Sequence, residues 1–256
     1  ADIRQHDVAT YDANTKVRQV PDLRLTGVYE NVYPNTATPA EITMMGAKFK
    51  VLSSAAADLK SFRPGDKITL LLTVDGQVAG VVSDETLRSN TLGVVTEISE
   101  GGQATVKPLS TALPEFSGQS SYTGNSAVEV KGQLVTVSSS SAGHINLARL
   151  PSTGTSSSLN VGARKLGNID LAPNVVIFER VNNSMPQRAE LEDITCNTVP
   201  ADKILYAGRD YAGRIGTLIL DDVTGDRYTY GTVTFTGAVP GEGMDPGINA
   251  TVSVTN

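Results

Sequence analysis

The sequence predicts a mainly β fold made of tandem small barrel-like or sandwich-like modules with one or two short helices. Thr, Val, Ser and Gly are abundant, aromatic residues make up 5% of the 256 positions, and Trp is absent. β-branched residues pack well on pleated surfaces, whereas this composition offers little for helical packing. Several runs also alternate apolar and polar side chains with the period of two that is typical of strands.

A strand pattern occurs twice at a nearly constant offset of 136 to 138 residues. Such repetition indicates that the chain is built from repeated structural units. The matching landmarks are Pro64 with Pro200, Gly76 with Gly213, and Gly93 with Gly231. Upstream of these landmarks, residues 42–51, two strand-like stretches around Gly46, resemble residues 128–137. The offset of this pair is only 86 residues, so the second copy must contain an insertion.

The repeat predicts four regions along the chain. They are an N-terminal arm or hairpin at 1–24, a first β-module at 25–90, a second β-module at 91–228, and C-terminal strands at 229–256 that begin a further module or close this one. The second module carries a Ser-rich insertion at about 138–165, which we expect to be a mobile surface loop. A first module of this size buries too little surface to be stable alone, so we expect it to pack against the second.

Within the first copy, a helix is expected at 55–62, because three alanines favour it and a serine precedes them. The strand at 67–74 alternates, and Asp75-Gly76 predicts a type I′ turn before the returning strand at 78–82. In the second copy, a helix-like stretch at 186–194 precedes the corresponding strand, and Gly213 marks the matching corner.

Charge and composition exclude several function classes. The net charge of −6 and the pI near 5.0 disfavour nucleic-acid binding, which requires clustered Lys and Arg. No apolar run reaches the ~18 residues of a membrane span. A single cysteine, Cys196, excludes an internal disulfide and a Cys-based zinc site, and we interpret it as an incidental thiol.

Catalytic motifs are absent, so the protein is not expected to be an enzyme. His6 and His144 are the only histidines, and no Gly-x-Ser-x-Gly elbow surrounds the serines near His144. Gly-rich phosphate loops are missing, and a glycosidase would lack tryptophan platforms for sugar rings.

The acidic run Asp221-Asp222-Val223-Thr224-Gly225-Asp226 is the one candidate metal site. Carboxylate and carbonyl oxygens are the ligands that Ca²⁺ prefers, so Asp221, Asp222 and Asp226 are candidate calcium ligands. The run lacks the later Glu of the twelve-residue calcium loop, and a β-turn is the alternative interpretation. No other cofactor is expected.

Three segments carry a resemblance to a known family: residues 7–11, 62–82 and 218–231. They resemble the β-rich repeat regions of S-layer or S-layer-homology-type surface proteins of Gram-positive bacteria of the Firmicutes. The resemblance implies a non-enzymatic, extracellular cell-surface protein that assembles into an array or filament, with its wall anchor elsewhere.

The first functional hypothesis is therefore a structural surface module whose partners are copies of itself or neighbouring surface-protein domains. Pairing would use the sheet edges of the arm and the C-terminal strands. Two alternatives stay open. One is an adhesive or glycan-binding module that recognises ligands through the Ser-rich loop, and the other is a structural protein of a phage virion or tail.

Overall fold

The fold is mainly β, as the composition predicted. A computed structural model describes residues 5–20, 22–83, 91–123, 131–150, 157–210 and 212–225, and the backbone of 231–235 and 250–254. Two compact units divide the chain, Ala1–Pro151 (unit 1) and Ser152–Asn256 (unit 2). The described residues include no helix with the length and apolar character that a membrane span requires.

Unit 1 contains thirteen of the described strands and one α-helix, α1, at Ser53–Leu59. The strands are β1 (Thr10–Tyr11), β2 (Arg18–Gln19), β3 (Arg24–Val28), β4 (Asn31–Tyr33), β5 (Glu41–Met44), β6 (Ala47–Lys50), β7 (Lys67–Leu72), β8 (Val78–Ser83), β9 (Thr91–Ile98), β10 (Gln103–Pro108), β11 (Phe116–Thr123), β12 (Leu134–Ser138) and β13 (His144–Arg149).

These strands form three small open sheets and one barrel. β1 and β2 pair with each other, β7 lies between β3 and β8, and β5 lies between β4 and β6. The barrel closes in the order β10-β11-β13-β12-β9, with β11 and β13 parallel. The predicted arm, the hairpin at 42–51 and the first helix therefore correspond to β1–β2, β5–β6 and α1.

One hydrophobic core serves both the two three-stranded sheets and the barrel. Leu25 and Phe49 from the sheets belong to the same buried cluster as Phe116 and Val137 from the barrel. This agrees with the expectation that the first module packs against the chain that follows it. The division between compact units accordingly lies at 151/152, whereas the predicted module boundary lay at 90/91.

The predicted Ser-rich insertion at about 138–165 contains strands of both units. Ser138 ends β12, and β13 carries Ile145 and Leu147 into the barrel core. The expectation of a mobile loop is therefore wrong for this part, because the alternating apolar residues of β13 are buried. The upstream match at 128–137 also belongs to the barrel where it is described, through β12; residues 128–130 lie outside the described part.

Unit 2 contains nine strands with described backbone and two 3-10 helices, at Leu191–Asp193 and Ala201–Lys203. The strands are β14 (Leu159–Asn160), β15 (Lys165–Leu166), β16 (Ile169–Arg180), β17 (Gln187–Ala189), β18 (Thr198–Val199), β19 (Ile204–Arg209), β20 (Ile215–Asp221), β21 (Gly231–Phe235) and β22 (Ala250–Val254).

The main sheet of unit 2 has the order β18-β14-β15-β16-β20-β19, and β17 also pairs with β16. Its longest strand, β16, pairs in parallel with β20, while β19 and β20 form the antiparallel hairpin that the repeat predicted. β21 and β22 pair with each other as a separate two-stranded sheet. A second buried cluster, which includes Leu159, Ile177 and Leu218, forms the core.

The helix expected at 186–194 is wrong. The segment begins with β17, whose residues pair with β16, and continues as the 3-10 turn Leu191–Asp193. Glu190 and Asp193 cap this turn reciprocally, since each side chain accepts a hydrogen bond from the backbone N–H of the other residue. Pairing with a long neighbouring strand outweighs the weak local helix preference of the segment.

The turn after β7 differs from the predicted type I′ turn. Gly76 has a left-handed φ of 73° and Asp75 does not; the Gly76 N–H donates to the Thr73 carbonyl at 3.0 Å. The ladder shifts by one residue beside it, so the turn ends in a bulge. In unit 1, both central residues of a turn have positive φ at Met45–Gly46, between β5 and β6.

Within the described residues, two shared features mark the five-residue segments 73–77, 99–103 and 210–214. In each, the fourth residue is a glycine with positive φ, and the first residue accepts the N–H of the fifth on its side-chain oxygen. The three bonds are Gln77 N–H to Thr73 Oγ1 at 3.1 Å, Gln103 N–H to Ser99 Oγ at 3.2 Å, and Arg214 N–H to Asp210 Oδ1 at 2.9 Å.

Candidate functional site

The predicted calcium run lies where β20 ends and the chain turns away from the sheet. Asp221 is the last residue of β20, and its Oδ2 lies 3.3 Å from Lys203 Nζ. Asp222 has a left-handed φ of 51°, and its N–H donates to the Arg180 carbonyl at 3.0 Å. Asp226 lies outside the described residues. We call residues 221–225 the acidic loop.

A carboxylate that the sequence reasoning missed organises this loop. Glu179, on β16, is only 2% exposed. Its Oε1 accepts hydrogen bonds from the N–H groups of Val223 and Thr224, and its Oε2 accepts one from Thr224 Oγ1 at 2.6 Å. The backbone donors of the acidic loop therefore point at an internal anion.

Burial of Glu179 is stable only because these donors replace water. An ionised carboxylate that leaves water without partners is strongly disfavoured, whereas charge-assisted hydrogen bonds are stronger than neutral ones. The sequence contained a signal for it, since Val175, Ile177 and Glu179 alternate on one side of a strand. When an acidic residue takes the place of an apolar one on the buried side of a strand, its carboxylate requires hydrogen-bond donors inside the protein.

A row of charges crosses the sheet beside the loop. Arg180 on β16 is in register with Asp221 on β20, and Lys203 precedes β19. Arg180 is buried, and its Nε donates to the Ser184 carbonyl at 3.0 Å. Burial lowers the pKa of Arg180, while the negative charge of Asp221 acts in the opposite direction. Asp221 thus lies between two cations.

The calcium expectation stays a prediction. Among the residues that the structure describes, no group of three or more His, Cys, Asp or Glu side chains is placed to hold a metal. Asp221 pairs with Lys203, and the predicted third ligand, Asp226, belongs to the undescribed part of the run.

A second polar cluster joins the sheets of unit 1 to its barrel, and we call it the barrel seam. Glu30 Oε2 accepts the Gly46 N–H at 3.0 Å, and its Oε1 accepts the Gly143 N–H at 3.1 Å. The buried Ser139 Oγ accepts the Val28 N–H at 2.7 Å. A Cβ on Gly46 would lie 2.5 Å from the Ser117 carbonyl oxygen, so the two backbones meet closely at this point.

The side chains of the two histidines and the cysteine make none of the hydrogen bonds just described for the two clusters, although His144 directly follows Gly143 in the chain. His144 is exposed at the start of β13, and its Nδ1 lies 3.1 Å from the Ala142 carbonyl oxygen. The nearby Ser140 Oγ instead accepts a hydrogen bond from Asn146 Nδ2 at 2.9 Å. His6 has a left-handed φ of 69°, and Cys196 is exposed.

Comparison with known proteins adds no family. No protein-family model matches the chain, and no curated protein matches it. The functional proposal therefore depends on the chemistry of the described residues. In the acidic loop and the barrel seam, carboxylates and hydroxyls bind backbone N–H groups and so connect separate parts of the chain.

Proposed function

We propose that the chain is a non-enzymatic structural module of an extracellular, bacterial cell-surface protein that assembles into an S-layer-like array or a filament. One observation carries the proposal: two buried polar side chains, Glu179 beside the acidic loop and Ser139 in the barrel seam, bind the backbone. Glu179 holds the acidic loop, and Ser139 holds β3 against the barrel. The resemblance of residues 7–11, 62–82 and 218–231 to surface-protein repeats supports the extracellular location.

Sheet edges support the assembly part of the proposal. Within the described residues, β1–β2 and β21–β22 are separate two-stranded sheets. A two-stranded sheet is marginally stable in water, and the unused N–H and C=O groups of its outer edges are a template for further strands. The proposed partners are copies of the chain, or neighbouring surface-protein domains, that pair with the arm at 1–24 and the C-terminal strands at 229–256.

Exposed apolar side chains on the arm also support assembly. Tyr11 is 56% exposed and Val17 is 47% exposed, and both belong to the β1–β2 hairpin or its turn. A third large apolar side chain, Tyr33 on β4, is 69% exposed. Burial of the arm's apolar residues against another copy would remove this surface from water and favour association.

The test is electron microscopy and analytical ultracentrifugation of the purified chain, with and without calcium. The double substitution Tyr11→Asp and Val17→Asp should abolish arrays or filaments, because it places charge on the proposed contact. Tyr33→Asp is the matched control, since it changes a similarly exposed aromatic residue on a different sheet, and it should leave assembly unchanged. A wild-type chain that stays monomeric at all concentrations, or a double variant that assembles normally, would refute the proposal.

A further inference from the structure

We infer that unit 2 resists tension along the chain, and that the parallel pair β16–β20 with the Glu179-bound loop is its mechanical clamp. The polypeptide continues on both sides of the main sheet of unit 2, before residue 157 and after residue 225. Any pull on the ends of the chain therefore passes through this unit. The inference extends the proposed structural role, but it concerns the mechanics of a single molecule.

The clamp depends on the direction of two strands. β16 and β20 are parallel, and five consecutive residues of each are in register, from Val176 opposite Thr217 to Arg180 opposite Asp221. Tension pulls β16 from its first residue and β20 from its last residue. In a parallel pair these two points lie at opposite ends of the ladder, so the force shears all of the interstrand hydrogen bonds together.

An antiparallel hairpin responds differently to the same pull. In β19–β20 the open ends lie side by side, so a force applied to them separates one residue pair at a time. The short ladders through which the chain reaches β16 are also weak. β14–β15 and β15–β16 contain two register pairs each, so we expect them to open first and to transfer the load to β16 and β20.

The acidic loop reinforces the point where force enters β20. A pull that arrives from beyond Gly225 reaches Thr224 and Val223 first, and both donate hydrogen bonds to Glu179 on β16. Asp222 adds the bond from its N–H to the Arg180 carbonyl. The loop is thus fastened to the strand that bears the opposing force. Because Glu179 is buried, water cannot readily replace its lost donors during extension.

The experiment is single-molecule force spectroscopy of the full chain in two pulling geometries. In the first, handles at both chain ends load β16–β20 in shear. In the second, one handle is attached at Asn183→Cys and the other at the C-terminal end, which loads β16 and β20 from the same end. Cys196→Ser removes the exposed native thiol in both pulling geometries. Unfolding of unit 2 is recognised by its length gain, at about 3.5 Å per residue.

The clamp predicts that unit 2 unfolds at a force at least about twofold higher in the end-to-end geometry, because the ladder bonds then share the load. Equal forces in the two geometries would overturn it. Thr224→Val removes one donor to Glu179 and should lower the end-to-end force, whereas the control Thr198→Val on β18 should not. An unchanged force in Thr224→Val would overturn the role of the loop. Because single molecules are pulled, failure of self-assembly would leave this result intact, and the reverse also holds.

Discussion

Thr224 Oγ1 donates a hydrogen bond of 2.6 Å to Glu179 Oε2, and these two residues lie 45 positions apart in the chain. The contact joins the acidic loop to the middle of the unit 2 sheet. It explains why a run rich in aspartate stays attached to β16: the carboxylate of Glu179 accepts the backbone N–H groups of the loop. The surrounding aspartates face other partners, such as Lys203 beside Asp221.

Substitution Glu179→Gln should destabilise unit 2 by about 2 kcal/mol, because the neutral amide loses the charge-assisted bonds and its NH₂ group replaces the oxygen that accepts the Thr224 hydroxyl. Native-state hydrogen exchange of amides in β16 and β20 measures the effect. Glu192→Gln, at an exposed position of the same unit, is the control and should stay within about 0.5 kcal/mol of wild type. Equal effects of the two substitutions would contradict the structural role of Glu179.

Substitution Tyr29→Phe should leave unit 1 as stable or make it more stable, by up to about 1 kcal/mol. Tyr29 is 0% exposed, and its hydroxyl has no hydrogen-bond partner within the described part of the chain. Tyr122→Phe is the matched comparison, because the Tyr122 hydroxyl accepts a bond from Gln133 Nε2 at 2.6 Å. Thermal denaturation should show a loss of stability for Tyr122→Phe alone. A similar loss of stability for both substitutions would mean that the Tyr29 hydroxyl has a hydrogen-bond partner.

Substitution Gly76→Val should cost clearly more than Gly213→Val, although both glycines occupy the same position of the same turn. Both have positive φ, which a β-branched residue resists at a cost of about 1–2 kcal/mol. A Cβ on Gly76 would also lie 2.1 Å from the Ala112 carbonyl oxygen, whereas no atom of the described residues lies within 4 Å of one on Gly213.

Hydrogen exchange of β7–β8 and β19–β20 amides would compare these two glycine variants within their own units. The difference between their stability losses reports the contact of the first turn with residues 109–113, because the backbone strain of the turn is common to both variants. If the two substitutions cost the same, the close approach of Gly76 and Ala112 is absent in solution.

Asp210 should contribute stability that disappears in acid. Burial raises the pKa of Asp210, but the hydrogen bonds and charge of Arg214 and the Ala212 N–H outweigh it, so the folded-state pKa lies below the ordinary 3.8. A lowered carboxyl pKa stabilises the fold above the unfolded value and loses this effect as the pH falls through the folded value.

The stability advantage of wild type over Asp210→Asn should therefore be constant above about pH 5 and shrink below pH 3.8. Urea denaturation at a series of pH values measures it. The amide keeps an acceptor for the N–H groups of Ala212 and Arg214, so the comparison isolates the charge. An advantage that does not depend on pH would show that Asp210 acts only through its hydrogen-bond geometry.

Local sequence determined the β class, both hairpins of the repeat and the helix near residue 55. Strand alternation in β7 and β20 and the glycines at 76 and 213 act through the backbone preferences of a few neighbouring residues, so they can be recognised without the fold. The turn type was also encoded locally, in the oxygen-bearing residue three positions before each glycine, although Asp75-Gly76 suggested a different turn. The acidic loop was recognised as a special segment for the same reason.

Only the tertiary structure decided the rest. The shared core of unit 1, the parallel pairing of β16 with β20, and the choice of Glu179 as the partner of the acidic loop all join residues that are far apart in the chain. Such pairings depend on which apolar surfaces are buried together and which donors then face a buried acceptor. No short stretch of sequence contains both partners, so the composition and the repeat could not specify them.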